Sequence, residues 1–179
     1  MSRQPWRLRI VHEGADGLVL SFPDGSIRVD GLRPGDGALP VRTGLRQGVR
    51  LPAGIPSLAY PVPGQKSAEA HAISLEISGG RLVFLGHALS SLTTPQWISE
   101  AVDTFSGADW LLVGVPDEGG AALLEHLAAF EAKQLLIMDL RPPQKSSKIS
   151  THIALWVDQL KSVGLPVMGV APQVSVRFE

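Results

Sequence analysis

The period of the apolar residues changes once along this chain, close to Thr94, and that change decides what each half can become. Upstream, apolar and polar residues alternate as they do in strands. Trp6–Val11, Leu18–Phe22 and Ser26–Val29 predict a short antiparallel meander, with Pro23-Asp24-Gly25 as the turn between the last two. Ser57–Val62, Ala72–Ile77 and Leu82–Leu85 continue the β pattern, the last two joined by Ser78-Gly79-Gly80, whose glycines permit the positive φ a hairpin turn uses. Downstream, Thr94 and Pro95 read as the N-cap and first residue of a helix that carries Trp97, Ile98, Ala101, Val102 and Phe105 at helical spacing. An apolar strand Trp110–Val115, a helix with Leu123, Leu124, Leu127 and Phe130, and a strand Gln134–Met138 follow. A third helix carries the stripe Ile149, Ile153, Trp156, Val157, Leu160 and Val163, and strands near Pro166–Gly169 and Val174–Phe178 close the chain.

Length sets the number of cores. A chain of 179 residues, 44% hydrophobic and 18% charged, buries one good core, so residues 1–179 form a single domain of mixed α/β (α+β) class. Glycine and proline crowd between Gly31 and Gly64, which predicts a loop-rich segment inside that domain. A formal charge of -1 gives no general attraction to nucleic acid or membrane, and no apolar run approaches the roughly 20 residues of a membrane helix. With no cysteine there is neither a disulfide nor a thiolate ligand or nucleophile, and the expected compartment is the cytoplasm.

The order of elements from Lys66 onward resembles the metallo-β-lactamase superfamily. The residues that carry the likeness are KSAEAH, which aligns with the family's metal-binding turn, LVFLGHAL, which aligns with its strand ending in Gly-Asp, and LLIMDLRPP, which aligns with the strand end that presents its late histidine. The opening WRLRIVHEGADGLVLSFPDGSIRVDG is similar to the family's first meander. The resemblance implies a shortened αββα sandwich, two sheets between helices. It also implies where metal ligands stand, and at each such position this chain differs: Ser67 replaces the first histidine, His87 the bridging aspartate and Asp139 the late histidine. His71 matches a turn histidine that is not a ligand. The family's His-x-His-x-Asp-His run falls on VRTGLRQGVRLPAGIP, which has no His, Asp or Glu. A zinc hydrolase needs several such ligands converging to hold metal and acidify its water, so the expectation is no metal, no cofactor and a catalytically degenerate binding or assembly module.

Two other readings of the same residues stand beside that one. Ser67, His87 and Asp139 are the residue types of a nucleophilic triad, and ligands of one cluster point into a common space, so an unorthodox hydrolase is the alternative. A replacement metal site through His87 and Asp139, with or without His71, is another, though nothing in the sequence marks the groups that would orient such ligands or a general base. A hydrogen-bonded polar cluster filling a vacated pocket accounts for the same residues with no chemistry. Between Pro40 and Ala68 the only charges are Arg42, Arg46, Arg50 and Lys66, a basic segment that suits a small anionic ligand or an acidic protein surface, or only keeps a loop solvated. Tyr60 is its single aromatic residue, so the stacking pattern of single-strand nucleic-acid binding is missing. His12, His126 and His152 read as structural or solvated, and Asp117 and Glu118 as residues favouring the dipole of the following helix. Shortened loops expose sheet edges, and Trp6, Trp97, Trp110 and Trp156 offer aromatic area, which together predict a homodimer.

Overall fold

The computed structural model describes residues 8–14, 17–22, 25–29, 38–41, 57–61, 71–77, 80–86, 95–114, 121–138, 151–170 and 175–178. The chain builds two sheets. β1 (Leu8–Gly14), β2 (Gly17–Phe22) and β3 (Gly25–Val29) form the antiparallel meander that their alternation predicts, and β4 (Ala38–Val41) adds parallel to β3. The sequence pattern did not single out β4, because it lies within the Pro/Gly-rich stretch and itself contains Pro40. The last strand, β11 (Ser175–Phe178), returns to pair antiparallel with β1, Leu8 opposite Phe178, so the first sheet has the order β11-β1-β2-β3-β4.

The second sheet has the order β10-β9-β8-β7-β6-β5. β5 (Ser57–Pro61), β6 (His71–Ile77) and β7 (Gly80–Gly86) are antiparallel neighbours, whereas β7, β8 (Trp110–Gly114), β9 (Gln134–Met138) and β10 (Val167–Val170) run parallel. Parallel neighbours need crossovers, and three helices supply them: α1 (Pro95–Phe105), α2 (Ala121–Ala129) and α3 (Thr151–Ser162). All three lie on one face of this sheet. Trp97, Phe105, Leu127, Ile153, Trp156 and Leu160 share a single apolar cluster with Val83, Leu85, Leu111, Val113, Leu135 and Ile137. Full burial of each such side chain stabilises the fold by about 1.5–3 kcal/mol. The alternate residues Ile73, Leu75, Leu82, Phe84, Leu112, Leu136 and Met138 point to the other face and are just as buried, so another layer of the same chain covers it. Sheets covered on both faces read as continuous apolar runs, which is why β8 and β9 show no alternation.

Helix ends fall where the backbone can leave the helix. α3 stops in a Schellman turn: Leu165 N–H donates to Leu160 O at 3.1 Å, Gly164 N–H to Lys161 O at 2.9 Å, and Gly164 takes φ 82°. Val163 therefore sits past the helix and is exposed, so it drops out of the apolar stripe predicted for α3; Ile149 lies outside the described residues. Trp97 and Trp156 are buried in the cluster and so offer no aromatic contact surface, Trp110 is half-buried, and Trp6 lies outside the described residues. Among the described residues no helix is long and apolar enough to cross a membrane.

Candidate functional site

In open sheets with parallel strands, loops that bind ligands gather at the carboxyl ends of those strands. Here β7, β8, β9 and β10 end at Gly86, Gly114, Met138 and Val170 on one edge. Gly86 is level with Val113, and Val113 with Ile137; Gly114 is level with Met138. β6 begins on that same edge, since Ile73 opposes Phe84 and the two strands run antiparallel. One irregularity marks the place. The β7–β8 register slips between Phe84 and Gly86, a bulge at Leu85 that redirects β7 just before its end, as bulges beside functional sites commonly do.

The predicted site residues attach to these strand ends. In sequence, His87 follows Gly86 and Asp139 follows Met138, while Ser67 precedes β6 by four residues. β8 alone separates β7 from β9, which sets those two strand ends about 10 Å apart. Ser67, His87 and Asp139 themselves lie outside the described residues, as do Arg42, Arg46, Arg50, Lys66, Asp117 and Glu118. His71 opens β6 and His12 lies in β1, both without described side chains; His126 and His152 are half-buried on α2 and α3, and His152 has an interaction partner, so it is not simply solvated.

At the opposite edge of the sheet stands a polar group of a different kind. Asp109, just before β8, accepts from the Arg81 N–H at 2.7 Å and from Lys133 Nζ at 2.5 Å. Burial pushes its carboxyl up, but the Lys133 ammonium and the Arg81 N–H outweigh that and hold it below the usual carboxylate range. The Arg81 side chain donates from Nε to Ser74 Oγ at 3.1 Å, from Nη1 to Ser106 O at 3.2 Å, and from Nη2 to Thr104 O. Ser74, the buried polar residue of the described core, is thereby satisfied, and the last carbonyls of α1 are tied to the start of β7 by a cation that suits the helix dipole. This node is structural, because its donors and acceptors are spent on one another. Sequence reasoning missed it, and only the polar residues placed at the starts of apolar strands hint at it.

No protein-family model and no curated protein matches the chain. Solved structures do. A metallo hydrolase from the hyperthermophilic archaeon Ignicoccus hospitalis is similar at TM-score 0.61 and 9% identity, over 97% of this chain and 99% of that one. A candidate zinc-dependent hydrolase of the metallo-β-lactamase superfamily from Thermotoga maritima is similar at TM-score 0.55 and 13% identity, over 78% of each chain. A variant of the CmlA β-hydroxylase is similar at TM-score 0.63 and 8% identity, over 99% of this chain and 55% of that one. The chain has the metallo-β-lactamase fold.

A metallo-β-lactamase fold implies metal at the strand ends just described, and Ser67, His87 and Asp139, which the resemblance aligns there, lie outside the described residues. The segment aligned with the main histidine cluster offers only Arg42, Arg46 and Arg50 as charged groups, which repel a divalent cation. Among the described residues no three His, Asp or Glu side chains come together to hold an ion. Asp109, just before the start of β8, stands at the other end of these strands and is already matched by Lys133.

Proposed function

We propose that this chain is a cytoplasmic, noncatalytic binding or assembly module that keeps the metallo-β-lactamase scaffold and has lost its metal chemistry. The observation that carries the reading is the identity of the residues at the strand ends: β7 leads into His87 and β9 into Asp139, where the resemblance calls for an aspartate and a histidine, and Ser67 stands for the first histidine. Arg42, Arg46, Arg50 and Lys66 replace the anionic and imidazole ligands of such a site with cations, which suits a small anionic ligand or an acidic protein surface.

Metal analysis tests this reading. Protein purified without chelator is expected to carry well under one zinc or iron per chain, and chelator is expected to leave Tm unchanged, because an ion that binds only the folded state would raise it. A stoichiometric metal whose removal lowers Tm overturns the proposal.

A second reading draws support from the topology. The β6 start and the β7 and β9 ends share one sheet edge, so Ser67, His87 and Asp139 all adjoin that edge in sequence. On that basis the alternative is a hydrolase with a rewritten Ser/His/Asp site.

A further inference from the structure

Among the described residues the two sheets have four edges, and sheets protect exposed edges with charge, proline or bulges so that they do not pair with other chains. Three of the four edges here follow that rule. β4 contains Pro40, β5 ends in Pro61, and β11 contains Arg177. The fourth, β10, is Val167-Met168-Gly169-Val170, with no charge, no proline and no register shift against β9. Met168 is 37% exposed on it, an apolar side chain at an edge with which no described strand pairs.

The helix beside that edge is complementary to itself. α3 sits over β10 and β9, and in the right-handed crossover that such β-α-β units adopt, the flank of α3 that overhangs β10 is the stripe Ala154, Val157, Asp158 and Lys161. Ala154, Asp158 and Lys161 are exposed and Val157 is half-buried. When such a stripe meets its own copy antiparallel, about a centre between residues 158 and 161, each Asp158 faces Lys161 of the partner subunit, and the small Ala154 permits close approach.

Spacing agrees with both contacts forming together. If β10 pairs with its copy at the usual strand separation of about 4.8 Å, a helix centred between β9 and β10 stands about 9–10 Å from its two-fold mate, within the 8–10 Å at which helices pack. We propose that the chain forms a two-fold homodimer in which β10 pairs antiparallel with β10 of a second copy, joining the two six-stranded sheets, while the Asp158–Lys161 flanks of α3 pair across the axis. Such an interface is isologous and closes on itself, so it stops at two copies. The inference deepens the assembly reading above by naming the partner, yet it is independent of metal content, so either can fail alone.

Sedimentation or light scattering of the full chain over roughly 1 to 200 µM, where small interfaces of this kind dissociate, tests it. The expected mass at the upper end is twice the 19.1 kDa of one chain. Met168→Lys, which charges the edge, is expected to yield monomer with unchanged circular dichroism. Asp158→Lys alone and Lys161→Asp alone are each expected to raise the dimer Kd at least about tenfold by setting like charges face to face, and the double exchange is expected to restore it. Both positions are exposed, so neither change threatens folding. A monomer mass throughout the range, or a dimer indifferent to all four variants, overturns the proposal.

Discussion

A methyl group added at Gly80 would stand 2.6 Å from Cζ3 and 3.0 Å from Cη2 of Trp110, so this glycine is required by the approach of an indole and not by a turn. Its φ is not positive, and Ile77 pairs with it as the last rung of the β6–β7 ladder, which corrects the reading that all three residues Ser78-Gly79-Gly80 make the turn. Neighbouring Asp109 sets a pH dependence. Its folded pKa is depressed, so its contribution is present above the unfolded value of about 3.9 and is lost as pH falls through the folded value. Asp109→Asn is expected to lower stability at pH 7 by about 1 kcal/mol or less, a modest figure because Lys133 is largely solvent-exposed, and to flatten the acid limb of stability against pH; urea titrations from pH 3 to 7 measure both. Neither role was legible in the sequence. The indole and carboxylate that give Gly80, Arg81 and Lys133 their partners are 24 to 30 residues away along the chain, and residue type alone carries no sign of which polar group will meet which.

Elements were far more legible, because apolar period reports local geometry. β9 and β5–β8 fall within a residue or two of the runs that predict them, and α1 begins at Pro95 as its cap signal requires. Pairing is another matter: the return of β11 to β1 and the place of β4 are contacts across the whole chain or against the propensity of proline, and neither is periodic. The end of α1 depends on one side chain. Arg81 ties its terminal carbonyls at Thr104 and Ser106 to the sheet and also satisfies buried Ser74. Arg81→Ala leaves Ser74 Oγ without that donor and the helix end uncapped, and is expected to cost about 2–3 kcal/mol in chemical denaturation, with faster amide exchange confined first to residues 102–107. Arg81→Lys is expected to recover only part of this, since an ammonium lacks the fork that reaches three acceptors.

At the scale of the whole molecule, the sequence offers the candidate site as an expected location, and Ser67, His87 and Asp139 themselves lie outside the described residues. The resemblance puts it at Ser67, His87 and Asp139, and the sheet brings the strands that adjoin all three to one edge, with a bulge at Leu85 just before His87. What three such residues do depends on side-chain geometry at the ångström level, which strand order does not determine. The two readings separate by experiment. In a working triad, Ser67 is a nucleophile activated by His87, so an active-site serine reagent labels the protein at Ser67, and His87→Ala abolishes labelling while Tm stays put. In a polar cluster that only fills a vacated pocket, Ser67 does not label, and His87→Ala lowers stability by about 1–3 kcal/mol because its former partners are left unpaired. The second pattern is the expected one: Ser67 is shorter than the histidine it replaces, and Gln65 and Glu69 stand where a Gly-x-Ser-x-Gly elbow has its glycines. Mass-spectrometric mapping of the labelled residue, run beside thermal melts of His87→Ala, decides between them, and stoichiometric labelling at Ser67 that His87→Ala removes overturns the noncatalytic reading.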